Sequence, residues 1–393
     1  MHDFSQHLAE LAAHSLRRTR RVVDGAQGPM LDADGAPCLA FCSNDYLGLA
    51  NHPEIAAAAM AAAGEYGVGA GASALISGHS RAHEQLEQEL AAFTGMPRAL
   101  YFSNGYMANI GIIGALVGAG DAVFVDRLCH ASLIDGVRLS GAGLRVFAHN
   151  DTARLEQVLA RSKAPRKLVV TDAVFSMDGD LAPLAELAAI CARHGAWLLA
   201  DDAHGLGVLG PEGRGSLAHA GVNAPHVICM GTLGKAAGVA GAFAAGDATL
   251  IEWIMQRART YMFTTANPPL LAAATSASLR IIVRDQWRRT HLGELAGLLR
   301  QGLAGLPWTL LPSPSAIQPL IVGGNADARA LAQRLRELGI WAPAICPPTV
   351  PKGSARLRIS LSALHTREHV AQLIGALRRI AGEMPRLATG ATQ

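Results

Sequence analysis

The sequence predicts an α/β fold: a mostly parallel sheet covered on both faces by helices, followed by a smaller α+β domain. Three observations lead there. Short apolar runs alternate with helical patterns through the middle of the chain. Reactive residues stand just past several of those runs, where ligands sit on parallel sheets. The 393 residues, half of them apolar, are enough for one large core and one smaller one.

The elements follow in order. From Phe4 to about Arg21 the pattern is helical, with Leu8, Leu11 and Leu16 near one face. Leu39 to Cys42 reads as a short strand that leads into the turn-like Ser43-Asn44-Asp45-Tyr46. The glycine- and serine-rich stretch from Tyr66 to Gly78 is too apolar for a linker and reads as a structured loop. Ala82 to Phe93 is a helix with Glu84, Glu87 and Glu89 on its polar side. The apolar runs are Ala99–Phe102, Ala122–Val125, Leu144–Phe147, Leu168–Val170, Trp197–Ala200 and Val227–Met230, with a helix at Leu184–Arg193. A long helix is expected over Leu270–Arg284. Beyond about Thr290 the alternation continues on a smaller scale, with strands including Gln318–Val322 and Leu357–Leu361. The expected division is an N-terminal helical segment at 1–43, a large cofactor-binding domain at 44–287 and a small C-terminal domain at 288–393.

Composition narrows the function. A net charge of +3 creates no strong field, so nucleic acid is not implied as a partner. The run Arg17, Arg18, Arg20 and Arg21 reads as a solvated face or basic arm, or as the source of one arginine aimed at an anionic substrate. The six cysteines are scattered without a CxxC pair, as in a reducing, cytoplasmic compartment. His2, Asp3 and Glu10 argue against a signal peptide and weaken a transit-peptide reading. The longest apolar stretch, Ile110 to Gly120, is too short and glycine-rich to span a bilayer, so no membrane association is expected.

Four segments carry the chemistry. Ser103–Asn109 follows a strand and opens a helix, so backbone amides near Gly105 suit an anion; a plain strand-to-helix turn reads the same way. Asp126–Ser132 places His130 after a strand, where a histidine is either structural or catalytic. Asp201–Gly205 puts two carboxylates and His204 at a strand end, an arrangement that is costly unless paired or used. The alternative is a turn with a capping Asp. Gly231–Gly238 holds Lys235 among small apolar residues, where desolvation would depress its pKa and prepare a Schiff-base nucleophile; the alternative is a surface lysine on a turn. Taken together, a Schiff-base lysine, an Asp for a pyridine nitrogen, an anion-binding turn and a ring-stacking His are what pyridoxal 5'-phosphate (PLP) requires.

Competing motifs fail. Gly205–Gly210 matches GxGxxG, but Pro211, Gly213 and Gly215 follow, so no helix opens for a pyrophosphate and a dehydrogenase is disfavoured. Lys235 lies in no Walker loop, because Ala236 follows it and Cys229 replaces the upstream glycine. His79 and His83 have no third ligand in view and read as a helix start; no metal is expected. No GxSxG elbow is present.

Ser43–Leu49, Asp126–Ser132, Val174–Asp180, Asp201–Gly210 and Gly231–Lys235 resemble, in order over nearly the whole chain, the segments of the α-oxoamine synthases. The resemblance implies a fold-type I PLP-dependent transferase that works as a homodimer with its site at the subunit interface. It implies that Lys235 holds PLP and acts as base, that Asp201 pairs with the pyridine nitrogen and that His130 stacks on the ring. By the same resemblance Ser176 and His204 would lie near the ring hydroxyl, and Gly105, Tyr106 and Thr232 would hold the phosphate. Asn44, Thr349, Arg358 and one of Arg17 and Arg18 would line the substrate site, with His130 near the substrate carboxylate.

Asp201–Gly205, Ser315–Val322 and Pro347–Pro351 are closest to the member of biotin biosynthesis that joins L-alanine to pimeloyl-CoA or a pimeloyl-acyl carrier protein with loss of CO2. Glycine-using relatives, such as 2-amino-3-ketobutyrate CoA ligase and 5-aminolevulinate synthase, are the alternative. A non-catalytic subunit is disfavoured because Lys235, Asp201 and His130 are all present.

Overall fold

The computed structural model describes residues 3–13, 17 and 19–383. Its centre is a seven-stranded sheet built from Arg98–Phe102, Ala122–Asp126, Gly143–Phe147, Lys167–Asp172, Trp197–Asp201, Val227–Thr232 and Ala242–Gly246. Three short strands precede them, so the strands in chain order are β1 (Val23–Asp24), β2 (Met30–Ala33), β3 (Pro37–Ala40) and then β4 to β10 for the seven just given. β11 (Thr309–Leu310), β12 (Ile317–Gly323), β13 (Ile340–Trp341), β14 (Ala344–Ile345) and β15 (Ala355–Ser360) complete the set.

The central order is β4-β10-β9-β8-β7-β5-β6. β6, β5, β7, β8 and β9 run parallel, and β10 is antiparallel to both β9 and β4. The inner strands β5, β7, β8 and β9 are nearly continuous apolar runs because both faces are covered, whereas the edge strand β6 exposes Arg145 and Val146. Their side chains alternate between two cores. Val123, Val125, Leu168, Val170, Leu199 and Ile228 face one side, and Phe124, Val169, Leu198, Ala200, Val227 and Phe243 the other. The parallel strands share one carboxyl end, which collects Asp126, Asp172, Asp201 and Thr232 at one rim.

Local signals fix the helices around this rim. Asn104 caps the helix Gly105–Leu116 by accepting from the Met107 amide at 2.9 Å. His130 caps Ala131–Ser140, and Gly141 ends it in the left-handed region. Ser80 and His83 form a reciprocal cap at the start of Arg81–Thr94, so His83 serves as a helix-start residue.

Three features depart from the sequence reading. The helical reading to about Arg21 is too long, since the described helix is Phe4–Ala13, and the strand read at Leu39–Cys42 is β3, preceded by the unforeseen β1 and β2 in a second sheet, β1-β2-β3-β13. β13 pairs in parallel with β3 and ties the N-terminal segment to the C-terminal part of the chain. The expected loop from Tyr66 ends in a π-helical turn at Ala74–Gly78. β10 was not foreseen, because Ala-Phe-Ala-Ala-Gly carries little strand propensity; burial between two neighbours makes it a strand. β12 and β15 pair centrally in a third sheet, β11-β12-β15-β14.

Candidate active site

Asp201 ends β8 and opens the densest polar network in the rim. Its Oδ2 accepts from Asn109 Nδ2 at 2.7 Å, and its Oδ1 from the Ala203 amide at 3.0 Å. Asn109 Nδ2 also donates to Ser132 Oγ at 2.8 Å, and that hydroxyl lies 2.8 Å from His130 Nδ1. Asp201, Asn109, Ser132 and His130 are therefore one connected line. Asp172, at the end of β7, accepts from the His130 amide at 3.1 Å. Burial, reinforced by neighbouring Asp201, raises the Asp172 carboxyl well above its ordinary value. Burial lowers the His130 pKa, partly opposed by Asp201.

The turn after Asp201 is built on Asp202. Its fully buried carboxylate accepts from the Ser216 amide at 2.7 Å and from the Ser216 hydroxyl. Burial raises its pKa to about 7. Gly215 is required against it: φ is +101°, and a Cβ would stand 2.1 Å from Asp202 Oδ2. This turn aims His204 inward. His204 Nδ1 lies 2.6 Å from the Tyr46 hydroxyl, and Nε2 lies 2.9 Å from Lys235 Nζ. Burial, with Lys235 and Arg358 nearby, drives the His204 pKa well below its ordinary value and leaves a neutral imidazole.

Lys235 stands on the arch between β9 and β10. The Leu233 amide donates to Gly241 O, and the Gly238 amide to Lys235 O, each at 2.9 Å. Gly238 has φ +68° and packs so closely that a Cβ would lie 2.5 Å from the Ala50 amide. Burial lowers the Lys235 pKa to about 8, against the opposing pull of Asp201 and Asp172. Desolvation therefore acts here as the small apolar surroundings in the sequence predict.

Gly105, Tyr106, His130, Ser176, Asp201, His204, Thr232 and Lys235 line one cavity of about 210 Å³. The amides of Gly105 and Tyr106 open a helix, where no intrahelical acceptor serves them. The Tyr106 hydroxyl turns away to donate to Asp135 at 2.6 Å, and Thr232 Oγ1 donates to Gly241 O at 3.1 Å. Asn44 and Arg358 stand behind the wall: Arg358 Nη1 reaches Asn44 Oδ1 at 3.2 Å, and Arg358 Nε donates to Ser176 O. Thr349 and Arg17 line a different cleft, between the helix Phe4–Ala13 and the C-terminal part of the chain. Arg18 lies outside the described residues.

Three residues of the network were given no role from sequence. Asn109 stands one helical turn after Gly105, Tyr46 sits in the Ser43–Leu49 segment, and Asp172 ends an apolar run. Only the last has a local signal.

The donor set fits PLP. It offers an amine of lowered pKa, a carboxylate across the cavity, a helix start for a phosphate and a neutral imidazole. Asn109 Oδ1 is buried without a partner, which leaves polar capacity beside Asp201.

Comparison with known proteins agrees. The model of the family "Aminotransferase class I and II" matches residues 36–377. The 8-amino-7-oxononanoate synthase 1 of Polaromonas sp. is 56% identical over 387 residues, 96% of each chain. Among solved structures, a serine palmitoyltransferase of Sphingomonas wittichii superposes with TM-score 0.91 at 34% identity, covering 97% of this chain and 98% of that one. A serine palmitoyltransferase of S. paucimobilis with bound PLP gives TM-score 0.90 at 31% identity, with coverage of 97% and 98%.

Proposed function

This chain belongs to the class I and II aminotransferase family and, within it, to the 8-amino-7-oxononanoate synthases, and we propose that it condenses L-alanine with a pimeloyl thioester to give 8-amino-7-oxononanoate, CO2 and free thiol. The observation that carries the chemistry is Lys235 Nζ held 2.9 Å from a neutral His204 in the cavity that Asp201 enters.

When bound, PLP supplies an electrophilic carbonyl carbon and an electron sink for the amino-acid Cα. The chain's residues divide the remaining work. With a pKa of about 8, Lys235 is neutral in roughly one molecule in ten at pH 7, a usable nucleophile. With the substrate in place, Lys235 Nζ would take its Cα proton as general base. The Asp201 carboxylate, oriented by Asn109 and the Ala203 amide, would hold the group through its ring nitrogen and keep that nitrogen protonated. His130 would hold the group by stacking and would donate toward the alanine carboxylate, and Ser176 and His204 would serve its ring hydroxyl. The amides of Gly105 and Tyr106, with Thr232, would bind its phosphate. Arg358 and Asn44, now engaged with each other behind the wall, would turn toward the substrate on binding, and Thr349 with Arg17 or Arg18 would face the acyl donor.

The working unit in this reading is a cytoplasmic homodimer of three domains, at 1–43, 44–287 and 288–393. Leu139 and Phe263 support a dimer: they are 71% and 68% exposed and line a common groove, apolar surface suited to a second copy. The free cysteines suit a reducing compartment, and no helix among the described residues is long and apolar enough to cross a membrane. The test is thiol release by holoenzyme given pimeloyl-CoA or the pimeloyl carrier protein, with alanine or glycine. Release with alanine is expected. Release with glycine alone moves the assignment to a glycine-using relative, and release with neither overturns it.

A further inference from the structure

The cleft that holds Thr349 and Arg17 measures about 860 Å³. Its walls are apolar: Leu8 and Leu11 from the helix Phe4–Ala13 on one side, and Ala344, Ile345, Pro347 and Pro348 on the other. Leu8 and Leu11 are 48% and 41% exposed, so no other described residue covers this apolar face fully. Among the described residues, two cations enter it, Arg17 and Arg329, and no acidic side chain lines it.

Arg329 stands in the helix Asn325–Glu337, which buries Ala328, Leu331 and Leu335. The other arginines toward the end of that helix are engaged. Arg334 pairs with Glu337 and Glu383, and Arg336 donates to Ala33 O at 2.8 Å. Arg329 is half-buried, and among the described residues its guanidinium meets no carboxylate or carbonyl. A half-desolvated guanidinium facing an apolar cleft is stabilised by an anion that arrives with apolar company.

A relay of contacts links the wall of the cleft to the site, although the two share no lining residue among those described. Lys235 meets His204, His204 meets Tyr46, and the Tyr46 hydroxyl accepts from Arg358 Nη2 at 3.4 Å. Arg358 lies on β15, whose neighbours Leu357 and Arg356 pair with Ala344 and Ile345 of the cleft wall.

We propose that Arg329, with Arg17, binds an anionic group of the acyl donor while the walls of this cleft take its methylene chain, which makes Arg329 a specificity-determining residue. This rests on the acyl-donor reading above. The anion has two possible sources: the carboxylate at the far end of the acyl chain, or a phosphate of the carrier arm.

Calorimetric binding of pimeloyl-CoA and heptanoyl-CoA to the holoenzyme, without alanine, separates them. Loss of a charge-assisted contact weakens binding by about tenfold to a hundredfold. Arg329→Ala and Arg329→Glu are expected to weaken pimeloyl-CoA by that factor, Arg329→Lys to restore part of it, and Arg334→Ala to change nothing. Weakening of pimeloyl-CoA alone assigns the carboxylate, and equal weakening of both ligands assigns a phosphate; either supports the site. Unchanged binding of both ligands in Arg329→Ala and Arg329→Glu overturns it. A wild-type enzyme that binds pimeloyl-CoA through Arg329 but releases no thiol with alanine would leave the anion site standing and remove the proposed reaction.

Discussion

Replacing Lys235 by methionine should make the cofactor-free protein more stable, although it destroys the proposed nucleophile. Burial lowers the lysine pKa from 10.5 to about 8. Each pH unit between folded and unfolded values is about 1.4 kcal/mol, so holding the charged amine in place costs roughly 3 kcal/mol, or about 2 kcal/mol after allowance for its residual contact with the cavity. The sign follows from proton counts. Between about pH 8 and 10.5 the unfolded chain binds a proton that the folded one does not, so wild-type stability rises with pH across that window. Below about pH 8 the whole cost is present. Lys235→Met should therefore gain about 2 kcal/mol near pH 7 and almost nothing above about pH 10.5. Urea melts of the two cofactor-free proteins at several pH values measure the difference. A methionine variant less stable than wild type near pH 7, or a gain independent of pH, would refute the claim that desolvation prepares this amine.

Two other perturbations test the surrounding network. His149 lies 3.1 Å from Asp126 Oδ1 and 2.8 Å from Asp180 Oδ2; burial pulls its pKa down, but these two hydrogen-bonded carboxylates outweigh it and raise it to about 10. The folded value is raised, so its stabilisation is complete below about pH 6.5 and lost as pH rises through about 10. With His149 only 22% exposed, His149→Ala should lower stability by about 3 kcal/mol near pH 6, fading toward pH 10, in melts across that range. Asp201→Asn should weaken PLP binding by about tenfold to a hundredfold, followed by visible absorbance on titration, because a charge-assisted contact becomes a neutral one. The same change removes a charge that raises the Lys235 pKa, so the pH midpoint of PLP incorporation should move below about 8.

Much of this was legible in the sequence because local rules and the global fold agree. The apolar runs at Ala122–Val125, Leu168–Val170, Trp197–Ala200 and Val227–Met230 all became central strands, since burial on both faces demands such runs. His130, Asp201, His204 and Lys235 were visible because they follow those runs directly. What escaped depends on distant partners. Tyr46 meets His204 across 158 residues of chain, and Asn109 meets Asp201 across 92. Nothing near Asn109 in sequence distinguishes it from an ordinary helical residue. β10 escaped because its alanines have no strand preference of their own, and the N-terminal strands because they are too short for a period to show. In the cleft, Arg17 and Thr349 were legible only through the family resemblance, and Arg329 had no signal, because it meets Arg17 across more than 300 residues of chain.

The loop from Ala173 to Leu181 belongs to both halves of the chain. On one side His149 grips Asp180, and Asn150 Nδ2 donates to Leu181 O at 3.2 Å. On the other, Arg356 grips Asp178, Arg358 grips Ser176 O, and Ser313 Oγ donates to Gly179 O at 2.8 Å. In mechanical terms the loop is a rivet through two plates. Any displacement of β15 relative to the large sheet is therefore transmitted through this loop to Ser176, on the wall of the cavity.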